Sequence, residues 1–133
     1  MRILAKVLIL LFLFLRTFDA LAAPFAKADL VGRWEYTSFT IIENGKPSGT
    51  AHFGPGTMVF TYHENGAWEM EADDPRHTKL NGSYELRDSE LIMKKADGSL
   101  YQDFNVELQS EGKEMVLRDK RSIVTASKIQ TSP

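Results

Sequence analysis

From Gly32 onward the chain alternates apolar and polar positions with a period of two, in short runs closed by Gly, Asn or Asp. That period belongs to half-buried strands, and no sustained helical spacing follows Trp34. The first predicted strand is Gly32 to Ile42, followed by a loop over Glu43–Gly49 whose Asn, Gly and Pro residues mark it by composition. The second is near Thr57 to His63, with Met58, Phe60 and Tyr62 on one side, and the third is Ala67 to Ala72, with Trp68 and Met70 on one side. Asp73-Asp74-Pro75-Arg76 breaks the chain. The fourth strand, Lys79 to Leu86, keeps Leu80, Gly82, Tyr84 and Leu86 in step, and Gly82 marks a bulge or a close approach. The fifth is Leu91 to Lys95. The sixth shows Leu100, Phe104, Val106 and Leu108 at even positions, and Met115–Arg118 and Ser122–Ile129 are the seventh and eighth.

Register follows from the apolar pattern, because a one-residue slip moves every side chain to the other face. A two-residue Asn65-Gly66 turn would set Tyr62 opposite Glu69. A three-residue loop, Glu64-Asn65-Gly66, pairs Tyr62 with Trp68 and Phe60 with Met70, and puts Gly66 at the left-handed position of a bulged hairpin. At Asp97-Gly98 an even-numbered loop pairs Met93 with Gln102 and Leu91 with Phe104.

About eight antiparallel strands joined by short connections make an up-and-down meander. Pairing the last strand with the first closes it into a barrel and removes both edges. The fold class is therefore all-β, an eight-stranded antiparallel barrel. Trp34, Phe60, Tyr62, Trp68, Met70, Tyr84, Met93, Gln102 and Phe104 are the candidate interior, and so the candidate ligand-binding set. The competing reading is a filled barrel, since eight strands leave an interior just wide enough for side chains. Met58, Met70, Met93 and Met115 suit either outcome. Thr40, Gln102, Thr125 and Ser127 are the expected interior polar groups.

The N-terminus is expected to be a signal peptide. Arg2 and Lys6 precede the apolar run Val7–Leu15, and Ala20-Leu21-Ala22 fits a cleavage site, placing the domain at 23–133. The run is too short to span a bilayer, so no membrane span is expected after cleavage. The expected location is periplasmic or secreted. The chain has no Cys, which excludes disulfides, thiol catalysis, thiolate metal sites and lipid attachment at a cleavage-site cysteine. Without the leader, 13 basic residues stand against 17 acidic ones, a net of −4, interspersed along the chain. No basic stripe suits nucleic acid.

Gly32-Arg33-Trp34, opening the first strand of such a meander, resembles the lipocalin signature Gly-x-Trp. Gly82-Ser83-Tyr84-Glu85-Leu86 followed by Leu91-Ile92-Met93 is similar to small bacterial lipocalin-like domains. The resemblance covers most of Leu30 to Ile129. It implies that Trp34 is the barrel floor, with Arg118 or Arg121 laying a guanidinium on its face. The second lipocalin motif, Thr-Asp-Tyr, is missing between the sixth and seventh strands.

The long segment Glu43–Gly56 carries Phe53, which is either an exposed anchor for a protein partner or part of a plug over the barrel end. His52, His63 and His77 all fall in or beside loops without metal-ligand spacing, so no metal and no cofactor are expected. Glu69 and Glu71 alternate with Trp68 and Met70 and should face outward. No nucleophile elbow, metalloprotease motif or phosphate loop is present, and no catalytic residue is assigned. The expected function is an exported barrel binding a hydrophobic or amphipathic small molecule. The alternative is a periplasmic interaction protein, such as an inhibitor, immunity or assembly factor, with a filled barrel.

Overall fold

Residues 25–130 are described by a computed structural model; the expected signal peptide, 1–22, lies outside them. A short helix, α1 (Lys27–Leu30), leads into nine strands. These are β1 (Gly32–Glu43), β2 (Lys46–His52), β3 (Met58–Tyr62), β4 (Ala67–Ala72), β5 (Lys79–Arg87), β6 (Glu90–Lys95), β7 (Leu100–Gln109), β8 (Glu114–Arg118) and β9 (Ser122–Lys128). All pairings are antiparallel. β1 takes β3 on one edge over Gly32–Glu35 and β9 on the other over Trp34–Ile41. That second ladder closes β1 and β3–β9 into an eight-stranded barrel.

Alternation fills the barrel. Trp34, Phe60, Tyr62, Trp68, Leu91, Met93, Phe104, Met115, Leu117 and Val124 are each below 2 % exposed, and Glu69 and Glu71 alternate with buried Trp68 and Met70 and face outward. The predicted registers hold: Tyr62 pairs Trp68, Phe60 pairs Met70, Met93 pairs Gln102 and Leu91 pairs Phe104. Gly66, at φ +91°, takes the left-handed position. Gly82 is a close approach: a Cβ there would lie 1.8 Å from the Lys94 carbonyl oxygen and 2.8 Å from the Trp68 indole nitrogen.

Three features depart from the sequence reading. Lys46–His52, expected as loop, is a strand. Asn44 and Gly45 form a two-residue hairpin turn, both at positive φ, and β2 pairs Ser38–Glu43 of β1. Its seven residues are all exposed, so no apolar alternation announced it. The second departure is a bulge in β1 at Thr37: Tyr36 faces Ala126 and Ser38 faces Thr125. The Thr37 hydroxyl meets the Thr125 hydroxyl at 2.7 Å and holds the extra residue in place. The third is a bulge in β7, where Met93 pairs Gln102 but Lys94 pairs Leu100, leaving Tyr101 over. The Asp97-Gly98 hairpin is thus a three-residue loop, closed by Lys95 and Ser99 at 2.8 Å, followed by the bulge. Each bulge reverses the facing of the residues on one side of it. Phe39 and Tyr101 turn toward the core, while Leu100, expected in step with Phe104, is 60 % exposed.

Candidate functional site

The two barrel ends differ. At one, α1 lies across the opening, Leu30 is fully buried, and its carbonyl accepts the Trp34 indole N–H at 2.8 Å. Trp34 is the floor, but the cation on its ring is Lys128, with Nζ 5.4 Å from the centroid. Arg118 and Arg121 do not serve there. They sit at the β8–β9 turn near the far end of β1, where the Arg121 carbonyl accepts the Ile42 amide at 2.8 Å, and both are exposed. Gly32 has φ +133°, and the Lys128 Cε would lie 3.1 Å from a Cβ placed on it, so the lysine stem crosses the glycine to reach the ring. That is the physical content of Gly-x-Trp in this chain.

The other end, where the β1–β2, β4–β5, β6–β7 and β8–β9 turns gather, has an apolar mouth. Phe39, Met58, Ala72, Leu80 and Tyr101 point inward there, half-buried against the core. Ile41, 45 % exposed, stands at its rim, while Leu100, paired with outward-facing Lys94, lies on the outer face at the same end. Phe53 is not an exposed anchor: it is half-buried on the same cluster, its amide tied to the Thr37 carbonyl at 3.0 Å.

Below the mouth the interior polar atoms converge. Tyr36 stacks on Phe60 with centroids 4.5 Å apart. Tyr101 lies against Trp68 at 4.9 Å. The Tyr62 hydroxyl donates to the Met93 sulfur at 3.6 Å, and Gln102 is the cross-strand partner of Met93. Burial raises the pKa of Tyr36 and of Tyr62, with Tyr62 and Tyr101 adding to the first and Tyr101 and Tyr84 to the second. Most deep donors are answered within the chain: Trp34 by Leu30, Trp68 by the Lys94 carbonyl at 2.9 Å, Tyr84 by the His63 carbonyl. The Tyr36 hydroxyl and the Gln102 side-chain oxygen are buried and have no partner among the described residues. Buried polar atoms are rarely left so without reason.

The structure therefore sorts the expected ligand-binding set. Trp34, Phe60, Tyr62, Trp68, Met93 and Phe104 are sealed packing in the lower barrel, and Tyr84, 8 % exposed, lines its wall. Met70, 4 % exposed, pairs with Phe60 and Leu80, and Gln102, half-buried, pairs with Met93 below the mouth. Thr40, Thr125 and Ser127, expected inside, face outward: Thr40 bonds Thr50 of β2 at 2.9 Å, and Thr125 and Ser127 alternate with buried Val124 and Ala126. Tyr36, Phe39, Leu80 and Tyr101 were missing from the set. The signal lay in the three-residue steps Tyr36–Phe39 and Tyr101–Phe104, which break the period of two where the bulges are.

The outer surface has concavities of about 230–330 Å³. One is lined by Glu90, Asp103, Asn105, Arg118, Asp119 and Lys120. Here the Glu90 carboxyl is pushed up, first by a hydrogen bond with Asp103 and then by its charge. Of the expected ligand-binding set only Tyr84 touches any of these four, while Thr125 and Ser127, expected inside, line another from the outer face. His63 pairs with Glu69 at 3.2 Å, and among the described residues no three His, Asp or Glu side chains are grouped for a metal. Among the same residues, no helix is long and apolar enough to cross a membrane.

No family model matches the chain, and no curated protein matches it. Its structure is similar to that of a lipocalin-like protein from Bacteroides uniformis, with a TM-score of 0.60 at 14 % identity, over 76 % of this chain and 99 % of that one. A protein from Bacteroides eggerthii with no assigned function matches with a TM-score of 0.56 at 15 % identity, over 75 % of this chain and 99 % of the other. The chain has a lipocalin-like fold.

Proposed function

We propose that this protein is an exported small-molecule carrier that takes a hydrophobic or amphipathic compound through the mouth of the barrel. The observation that carries the reading is the rim: Ile41, 45 % exposed, stands at the end where Phe39, Met58 and Leu80 are only half covered. Apolar area there gives about 25 cal/mol per Å² when a ligand covers it. Phe53 and the pliable Met58 shift aside on entry. The lower barrel, already packed, is the rigid floor. The proposed leader at 1–22 delivers the domain to a periplasmic or extracellular space where such compounds are met.

Native mass spectrometry of protein isolated from the cells that make it tests the reading. A discrete adduct, with a melting temperature raised by the same compound, supports it. A spectrum of bare protein only, with no melting shift across a lipid panel, overturns it.

A different observation favours a second reading, an exported interaction protein. Among the described residues β2 pairs only with β1, which leaves its other edge for strand addition by a partner. A purified partner whose binding is lost in Thr50→Pro, with the barrel intact, distinguishes this reading from the first.

A further inference from the structure

We infer that the mouth selects ligands with an uncharged head that both donates and accepts a hydrogen bond, such as a hydroxyl or an amide, inserted head-first toward Tyr36 and Gln102. The inference rests on the mouth being a ligand site, and it adds which end of the ligand enters and what chemistry that end carries.

Three observations lead there. The first is complementarity. The unpartnered atoms are a phenol hydroxyl, free to donate, and an amide oxygen, free to accept. Tyr62 lies near enough to Tyr36 to raise its pKa, but its own hydroxyl already donates to the Met93 sulfur. A hydroxyl or an amide carries both an acceptor for the phenol and a donor for the amide oxygen, whereas a carboxylate has nothing to donate and an ammonium nothing to accept.

The second is charge. Among the described residues, Ser122 is the one buried polar or charged residue, and no Lys, Arg, His, Asp or Glu is buried. An ionic head taken to the level of Tyr36 finds no counter-charge and loses its water, so it is excluded. Burial already holds the tyrosine hydroxyls neutral by raising their pKa values.

The third is placement. The orphans lie below an apolar collar, not above it. Tyr36 is 5 % exposed, while Phe39, three residues on, is half-buried in the mouth. A ligand that reaches Tyr36 with its head leaves its apolar body against Phe39, Met58 and Leu80. A tail-first ligand would put hydrocarbon on the two unpartnered atoms and its head at the charged rim. A hydroxyl offers the same donor and acceptor as a water molecule, so a ligand hydroxyl replaces hydration at these atoms with its hydrogen bonds conserved.

The test is calorimetric titration of the domain with three probes of equal chain length: 1-decanol, decanoate and decylammonium. The expected result is decanol binding at least about tenfold tighter than either ion. Tyr36→Phe and Gln102→Leu should each weaken decanol by about tenfold while leaving the melting temperature unchanged or higher. If all three bind equally, or if Tyr36→Phe binds decanol as well as the parent does, head-first selection is overturned and the mouth reading stands. If none binds, both are overturned.

Discussion

Two residues show how packing, not propensity, fixes identity in this chain. Gly82 sits under the Trp68 indole beside the Lys94 carbonyl, with no room for a Cβ. Gly82→Ala must push the β5–β6 ladder apart or break the Trp68–Lys94 hydrogen bond. It should lower stability by about 3 kcal/mol, read from urea unfolding. Lys128 covers Trp34, so Lys128→Ala should cost about 1 kcal/mol, whereas Arg118→Ala and Arg121→Ala should stay within about 0.5 kcal/mol. The reverse ranking would restore an arginine to the floor. The tyrosines add a pH dependence. Tyr36 and Tyr62 have pKa values raised by burial first and by neighbouring tyrosines second. A group whose folded pKa is raised keeps its full contribution below the unfolded pKa and loses it as pH rises further. Stability should therefore be level up to about pH 10 and then fall by about 1.4 kcal/mol per pH unit per buried tyrosine. Denaturant midpoints between pH 8 and pH 11.5 read this, and Tyr62→Phe should flatten the fall. Loss beginning well below pH 9 would count against it.

At the scale of elements, what was legible in the sequence is what the core pays attention to. Trp68 and Met70 against Tyr62 and Phe60 forced a three-residue loop, and the pairing is as expected. β2 was illegible because none of its residues is buried; Lys46-Pro47-Ser48-Gly49 reads as a loop even while it is hydrogen-bonded to β1. The bulges at Thr37 and Tyr101 were illegible to a strict period of two, and so the mouth was missed where the floor was found. Arg118 and Arg121 were drawn to Trp34 by family likeness, while chain geometry put Lys128, the direct partner of Trp34 across β1–β9, within reach. The hairpin's exposure also gives an expectation. Amides of β2 should exchange with solvent orders of magnitude faster than those of the β1–β9 ladder, because β2 opens without uncovering any core. Equal protection of the two would mean that β2 is buried against something.

The whole molecule depends on the β1–β9 seam. Val124 is fully buried and pairs Phe39 across it. A proline there removes a ladder hydrogen bond in the middle of a closed sheet, and Val124→Pro should prevent folding, whereas Thr50→Pro in β2 should leave a cooperative thermal transition. Closure also makes the ends unlike: one is stoppered by α1, Leu30 and Trp34, and the other is left with an apolar rim over unpartnered polar atoms. The central claim is that this second end is where the protein works. Amide spectra recorded while 1-decanol is added test it most directly. The account predicts saturable shifts at Phe39, Met58, Leu80, Tyr101 and Gln102, with Leu30, Trp34 and Leu86 unmoved. Shifts confined to the α1 end or to the outer faces of the strands would contradict it.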